Sequence, residues 1–179
     1  MLKTILWTHL TIGLPFYFST IQPNRDIGPS KGKHGIPVQL AADYIHAVLE
    51  ANRTVYATYI VQRLANAISL HATENWEREN TLPLPAQFLA LSANISRAKH
   101  RKMSYRLASP WPVNRNNAPR SEFEYAGLRG VVRDPEKPYT RLVRKEGKPY
   151  FQAVYADKAM TESCVTYHNR HAQTRFPGG

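Results

Sequence analysis

Thirteen prolines are spread along this 179-residue chain. Each fixes φ and removes a backbone donor, so they predict short elements joined by fixed turns rather than a helical bundle. The length suits one domain of ordinary size with at most a short extra segment. Apolar residues make up 42% and charged residues 21%, a balance that supports a packed core and excludes wholesale disorder.

Between the prolines the hydrophobic period alternates between helical and extended. After Pro37 a helical pattern runs from Val38 to about Leu70. Ile45, Val48, Val55, Tyr59 and Ile60 recur at helical spacing and predict the face that packs on the domain. Leu82-Pro-Leu-Pro85 stops any helix through Glu79, and a second helix is expected from Ala86 to Arg97. Met103, Tyr105 and Leu107 alternate with polar residues, which predicts a strand. Pro110, Pro112 and Asn114 to Asn117 predict an ordered loop, and Pro119 suits the first turn of a short helix from Arg120 to Leu128. Tyr139–Arg144 and Pro149–Tyr155 read as the arms of a hairpin turning at Lys145-Glu-Gly-Lys148. The fold class expected is α+β.

The N-terminus opens with Lys3 and the mostly apolar run Ile5 to Ile21. This layout is that of a secretory signal peptide or short membrane anchor over residues 1–22, with residues 23–36 as a linker. Thr8, His9, Thr11 and Pro15 interrupt the run, and no A-x-A-like cleavage site follows. The alternative is a buried N-terminal strand or helix.

The formal charge is +11, which favours an anionic partner such as an acidic redox protein or an anionic membrane surface. Its densest stretches are Arg97 to Lys102 and Arg129 to Lys148; the first reads as a solvated connecting loop, with a docking surface as the alternative. No zinc-finger spacing or aromatic RNA-binding motif accompanies the charge, so a nucleic acid is not the expected partner.

A single cysteine, Cys164, rules out an internal disulfide framework. It lies in Ser163-Cys-Val-Thr-Tyr-His-Asn-Arg-His171. A c-type haem is attached through Cys-x-x-Cys-His, in which two thiols add to the vinyl groups and the histidine ligates iron. Cys164 and His168 keep the outer spacing, while Tyr167 stands where the second thiol would be. One thioether is still enough for a covalent tether. On these nine residues alone, a buried thiol beside a surface imidazole is the favoured reading.

Further motifs extend the pattern: Ala51-Asn-Arg-Thr-Val-Tyr56, Leu82-Pro-Leu-Pro-Ala-Gln-Phe88, Tyr105-Arg-Leu-Ala-Ser-Pro-Trp-Pro, then Asn114, Asn117, Ala118, Pro119 and Glu124, and Gly147 to Tyr155 leading through Asp157-Lys158-Ala159 to Cys164. In this order they resemble a bacterial family of single-haem, PAS-like c-type domains, found as stand-alone exported proteins and as sensory parts of chemoreceptors, kinases and cyclases. The resemblance implies a PAS-like antiparallel sheet with a long N-terminal helix over residues 37–179. It also implies a haem attached at Cys164 with His168 as the proximal ligand. Relatives continue past this C-terminus with one more strand, so the expected domain lacks an edge strand.

Arg106 and Arg53 fall at motif positions and are candidates to pair with the haem propionates. Some members place a Cys opposite the proximal His. Here that thiol is already used, which leaves His46 on the long helix as a candidate sixth ligand beside Met, Lys, water or an open site. No triad, paired-carboxylate or phosphate-loop arrangement supports an enzyme. The reading is an exported, periplasmic haem protein for redox or gas sensing or electron transfer, soluble or anchored by residues 1–22. The alternatives are a haemless PAS-like interaction or small-ligand module and a basic nucleic-acid-binding protein.

Overall fold

The structure, a computed structural model, describes residues 16–21, 35–68, 70–100, 102–159 and 161–170. Most of the expected leader and linker, and residues 171–179, lie outside the described residues.

The helical pattern after Pro37 forms one continuous run. It comprises α1 (Val38–Val55), a π-helical segment (Tyr56–Val61) and α2 (Gln62–Ile68). Its inward face matches the predicted one only at Ile45. Ala42, His46, Arg53 and Ala57 are buried, with Leu49 and Ile45 packed partly against the core, whereas Val48, Val55, Tyr59 and Ile60 are exposed. Small residues let the helix lie close on the sheet, and large apolar residues on a surface carry no penalty that forbids them.

Two short parallel strands, β2 (Ala72–Thr73) and β3 (Leu82–Pro83), bracket α3 (Trp76–Glu79). Helix α4 (Pro85–Lys99) begins with proline at its first position, and the Gln87 side chain accepts from the Leu84 N–H at 2.9 Å. Strand β4 (Ser104–Leu107) buries Tyr105 and Leu107 against α4, as its alternation predicts. The Asn-rich loop holds one turn of 3₁₀ helix, capped by the Asn114 side chain accepting from Asn116 N–H at 2.9 Å. Helix α5 (Glu122–Arg133) starts later than Pro119 predicted, because Ser121 supplies the cap, accepting from Glu124 N–H at 3.2 Å.

The hairpin forms as read: β5 (Tyr139–Lys145) and β6 (Lys148–Tyr155) turn through Glu146 and Gly147, whose φ values are 52° and 73°. Two successive left-handed residues are what a tight two-residue turn requires.

The sheet order is β4-β1-β6-β5, antiparallel throughout. Strand β1 is Phe16–Ile21, the end of the N-terminal apolar run, and it pairs with β4 on one side and β6 on the other. The sheet thus reaches back ahead of residue 37, where the domain was expected to start. Phe151, Ala153 and Tyr155 of β6 join α1 and α4 in one core. Val154, on the opposite face, packs with Phe123 and Val131 of α5. Gly127 allows this approach: a Cβ there would sit 2.5 Å from Val154 Cγ2. The result is a mixed helix-and-sheet domain with a small antiparallel sheet and a long N-terminal helix. No described helix is long and apolar enough to cross a membrane.

Candidate functional site

The segment after β6 ends in α6 (Glu162–Arg170). Thr161 starts it: its hydroxyl lies 3.1 Å from Cys164 Sγ, and the Cys164 N–H donates to the Thr161 carbonyl at 3.0 Å. The four-residue interval from Cys164 to His168 spans about one helical turn, which sets both on one side of α6. Both line a cavity of about 1520 Å³, larger than the roughly 300–1,000 Å³ of ordinary small-molecule sites.

Tyr167 occupies the position of the second thiol and has a different use. Its hydroxyl donates to the Glu74 carboxylate, in the turn between β2 and α3. Gln87 of α4 in turn donates to the Glu74 carbonyl at 2.7 Å. The helix bearing Cys164 and His168 is thereby tied to the segment between β2 and α3, which also lines the cavity. Burial first, and then the Glu74 carboxylate, push the Tyr167 hydroxyl well above the usual phenol range.

The cavity walls come from α1 and its π-helical extension, α4, β4, the Pro110–Asn117 loop and α6. Trp111 and Tyr105 supply aromatic surface. Six cations line it (Arg53, Arg97, Arg106, Arg115, Arg120 and Lys158) against two carboxylates, Glu74 and Asp157. A large, partly apolar, anionic ligand is the match for such a wall. Haem meets those terms: Cys164 could form the tether, His168 could ligate iron, and the cationic wall suits its propionates. Among the described residues no cluster of three or more His, Cys, Asp or Glu side chains could hold a bare metal ion.

The two arginines expected to face propionates are already engaged. Arg53 is buried and ion-paired with Asp157, and also donates to the Lys158 carbonyl at 3.4 Å. Burial pushes the Asp157 carboxyl up to about 7, against the pull of the Arg53 guanidinium, with the Glu50 charge adding to the rise. Arg106 donates to Glu124 at 3.0 Å and to the carbonyls of Asn116 and Ala118, both at 2.9 Å. It braces the loop that leads into α5. Nothing in the local sequence around Arg106 points to Glu124, eighteen residues on.

His46 is not brought to this site. It is buried between α1 and the sheet, with its ring 4.2 Å edge-on to that of Tyr155 and its Nδ1 4.0 Å from the Glu50 carboxylate. It does not line the cavity that holds His168, whereas His71 does. Burial holds its imidazole below the usual value, opposed by the charges of Glu50 and Asp43.

Sequence reading missed Glu74, Trp111, Arg97 and Arg120 as wall residues. Trp111 carried a usable signal, an aromatic ring between Pro110 and Pro112. Arg97, read both as the end of the second helix and as the start of a basic loop, lies in the last turn of α4.

Residues 37–176 match a family model described as Tll0287-like. Neither the curated proteins nor the solved structures contain a match to the chain.

Proposed function

The chain belongs to the Tll0287-like family, and we propose that it is an exported, non-enzymatic haem protein of the c type that serves redox or gas sensing or electron transfer. The observation that carries this reading is the placement of Cys164 and His168 one turn apart on α6, both on the wall of one large cationic cavity. The small antiparallel sheet, covered by the long helix on one face, is in this reading a PAS-like scaffold.

Cys164 Sγ would add to one vinyl group and form a single thioether; the thiol proton and sulfur both go to the vinyl carbons, and no oxidant is needed. His168, on the same cavity wall, would ligate the iron. Bound haem would supply a redox-active iron whose potential and ligand exchange depend on axial ligation and burial. Tyr167 holds α6 in place through Glu74, so one thiol and one imidazole stay oriented toward the cavity. Trp111 and Tyr105 line the cavity with aromatic rings. His71 also lines the cavity, whereas His46 does not.

The test is denaturing mass spectrometry of the protein exported from a host that matures c-type haem. One haem mass should remain on the polypeptide, and Cys164→Ala should remove it. A colourless product with the unmodified mass defeats the reading and favours a haemless PAS-like ligand module.

A further inference from the structure

A second cavity, of about 390 Å³, adjoins the large one and shares Arg97, Tyr105, Arg106 and Arg120 with its wall, but no residue of α6. Its single lining carboxylate, Glu124, is already engaged by Arg106 and by the Arg120 N–H. Arg106 is in turn occupied by that carboxylate and two carbonyls. Arg97 and Arg120 differ. Among the described residues neither guanidinium makes an ion pair, and the Arg120 side chain donates only to a neutral carbonyl, that of Asn116 at 2.8 Å.

We infer that Arg97 and Arg120 bind the carboxylates of the cavity's ligand, an assignment that rests on the haem reading and moves the propionate contacts away from Arg53 and Arg106. Two guanidiniums on a shared wall offer forks that match carboxylates in bidentate geometry. They are also held on separate supports: Arg97 on the last turn of α4, and Arg120 just before the Ser121 cap of α5. Glu124 reinforces the site by fixing the backbone at Arg120. The pair whose charge is internally cancelled, Arg53 and Asp157, is then scaffold, and the uncancelled pair is the recognition element.

The experiment uses the full chain produced where c-type haem is not attached, titrated with haemin and with haemin dimethyl ester while tryptophan fluorescence is followed. The ester keeps the ring and the iron and loses both carboxylates. Haemin should bind at least tenfold more tightly than the ester. The double variant Arg97→Gln/Arg120→Gln should lose most of that preference while keeping its affinity for the ester. Arg129→Gln/Arg133→Gln, both on α5 and lining neither cavity, controls for the two lost charges and should keep the preference. Circular dichroism checks the fold; if the double variant is unfolded, Arg97→Gln alone should remove part of the preference. Equal affinities in the unsubstituted protein, or a full preference in the double variant, overturn the assignment and leave the haem reading standing. If neither compound binds, the carboxylate assignment falls, and the mass of the exported protein decides the haem reading separately.

Discussion

Arg53, on the buried face of α1, is ion-paired with Asp157, which lies just beyond the end of β6, and the two side chains are only 6% and 2% exposed. This contact fastens the long helix to the sheet at the point where the chain leaves for α6. Removing Asp157 leaves the Arg53 charge buried and uncompensated, which costs about 3–5 kcal/mol.

Asp157→Leu should therefore lower stability by about that amount, a large part of the roughly 5–15 kcal/mol that holds a domain together, and Arg53→Met by less, because the Asp157 carboxyl then takes up a proton. The double variant should recover most of the loss, because two apolar groups replace both charges at once. Denaturant melts of the four proteins check this. Additive losses in the double variant would show that the pair is not coupled.

The second prediction concerns the missing thiol. Tyr167→Cys rebuilds Cys-x-x-Cys-His while removing the Glu74 contact. If Cys164 alone tethers haem, the variant should carry a haem with both vinyl groups saturated, and its pyridine haemochrome band should move to shorter wavelength. Loss of the Tyr167 hydrogen bond should also raise hydrogen exchange in α6 without affecting β5 and β6. An unchanged band in haem-loaded variant protein would show that Cys164 and the new thiol are not placed as a pair.

His46 makes stability depend on pH. Its imidazole is held below its ordinary pKa by burial, so the unfolded chain takes up the proton more readily than the folded one. Its contribution is therefore present above about pH 6.5 and is lost as the pH falls through the folded-state value. Asp157 works the other way. Its carboxyl is pushed up to about 7, so its contribution is present below the ordinary carboxylate range and is lost as the pH rises through about 7. The difference between the melting curves of the unsubstituted protein and His46→Gln isolates the histidine. The variant should lose less stability between pH 7 and pH 5, and parallel curves would contradict this.

Much of the local structure was legible because it depends on neighbours in sequence. The hairpin follows from two β-rich arms around Glu146-Gly147, and α4 from Pro85 and the helical spacing behind it. The interval from Cys164 to His168 was enough to place both on one turn, and α6 spans both residues. The facing of α1 was not legible, since apolar residues occur on both of its sides and only the sheet selects Ala42 and Ala57 over Val48 and Tyr59. The same holds for Arg106: its motif position suggested a ligand contact, while its bonds go to Glu124 and two loop carbonyls.

What the sequence by itself determined is most of the elements after residue 37 and the one-turn spacing of Cys164 and His168 on α6, because backbone preference and helical spacing act over a few residues. Only the tertiary structure decided which groups share a wall. Tyr167 reaches Glu74 across 93 positions, Arg53 reaches Asp157 across 104, and Phe16–Ile21 enters the sheet between strands more than 80 residues downstream. Contacts at such separations depend on the packing of the whole chain, which no local pattern encodes.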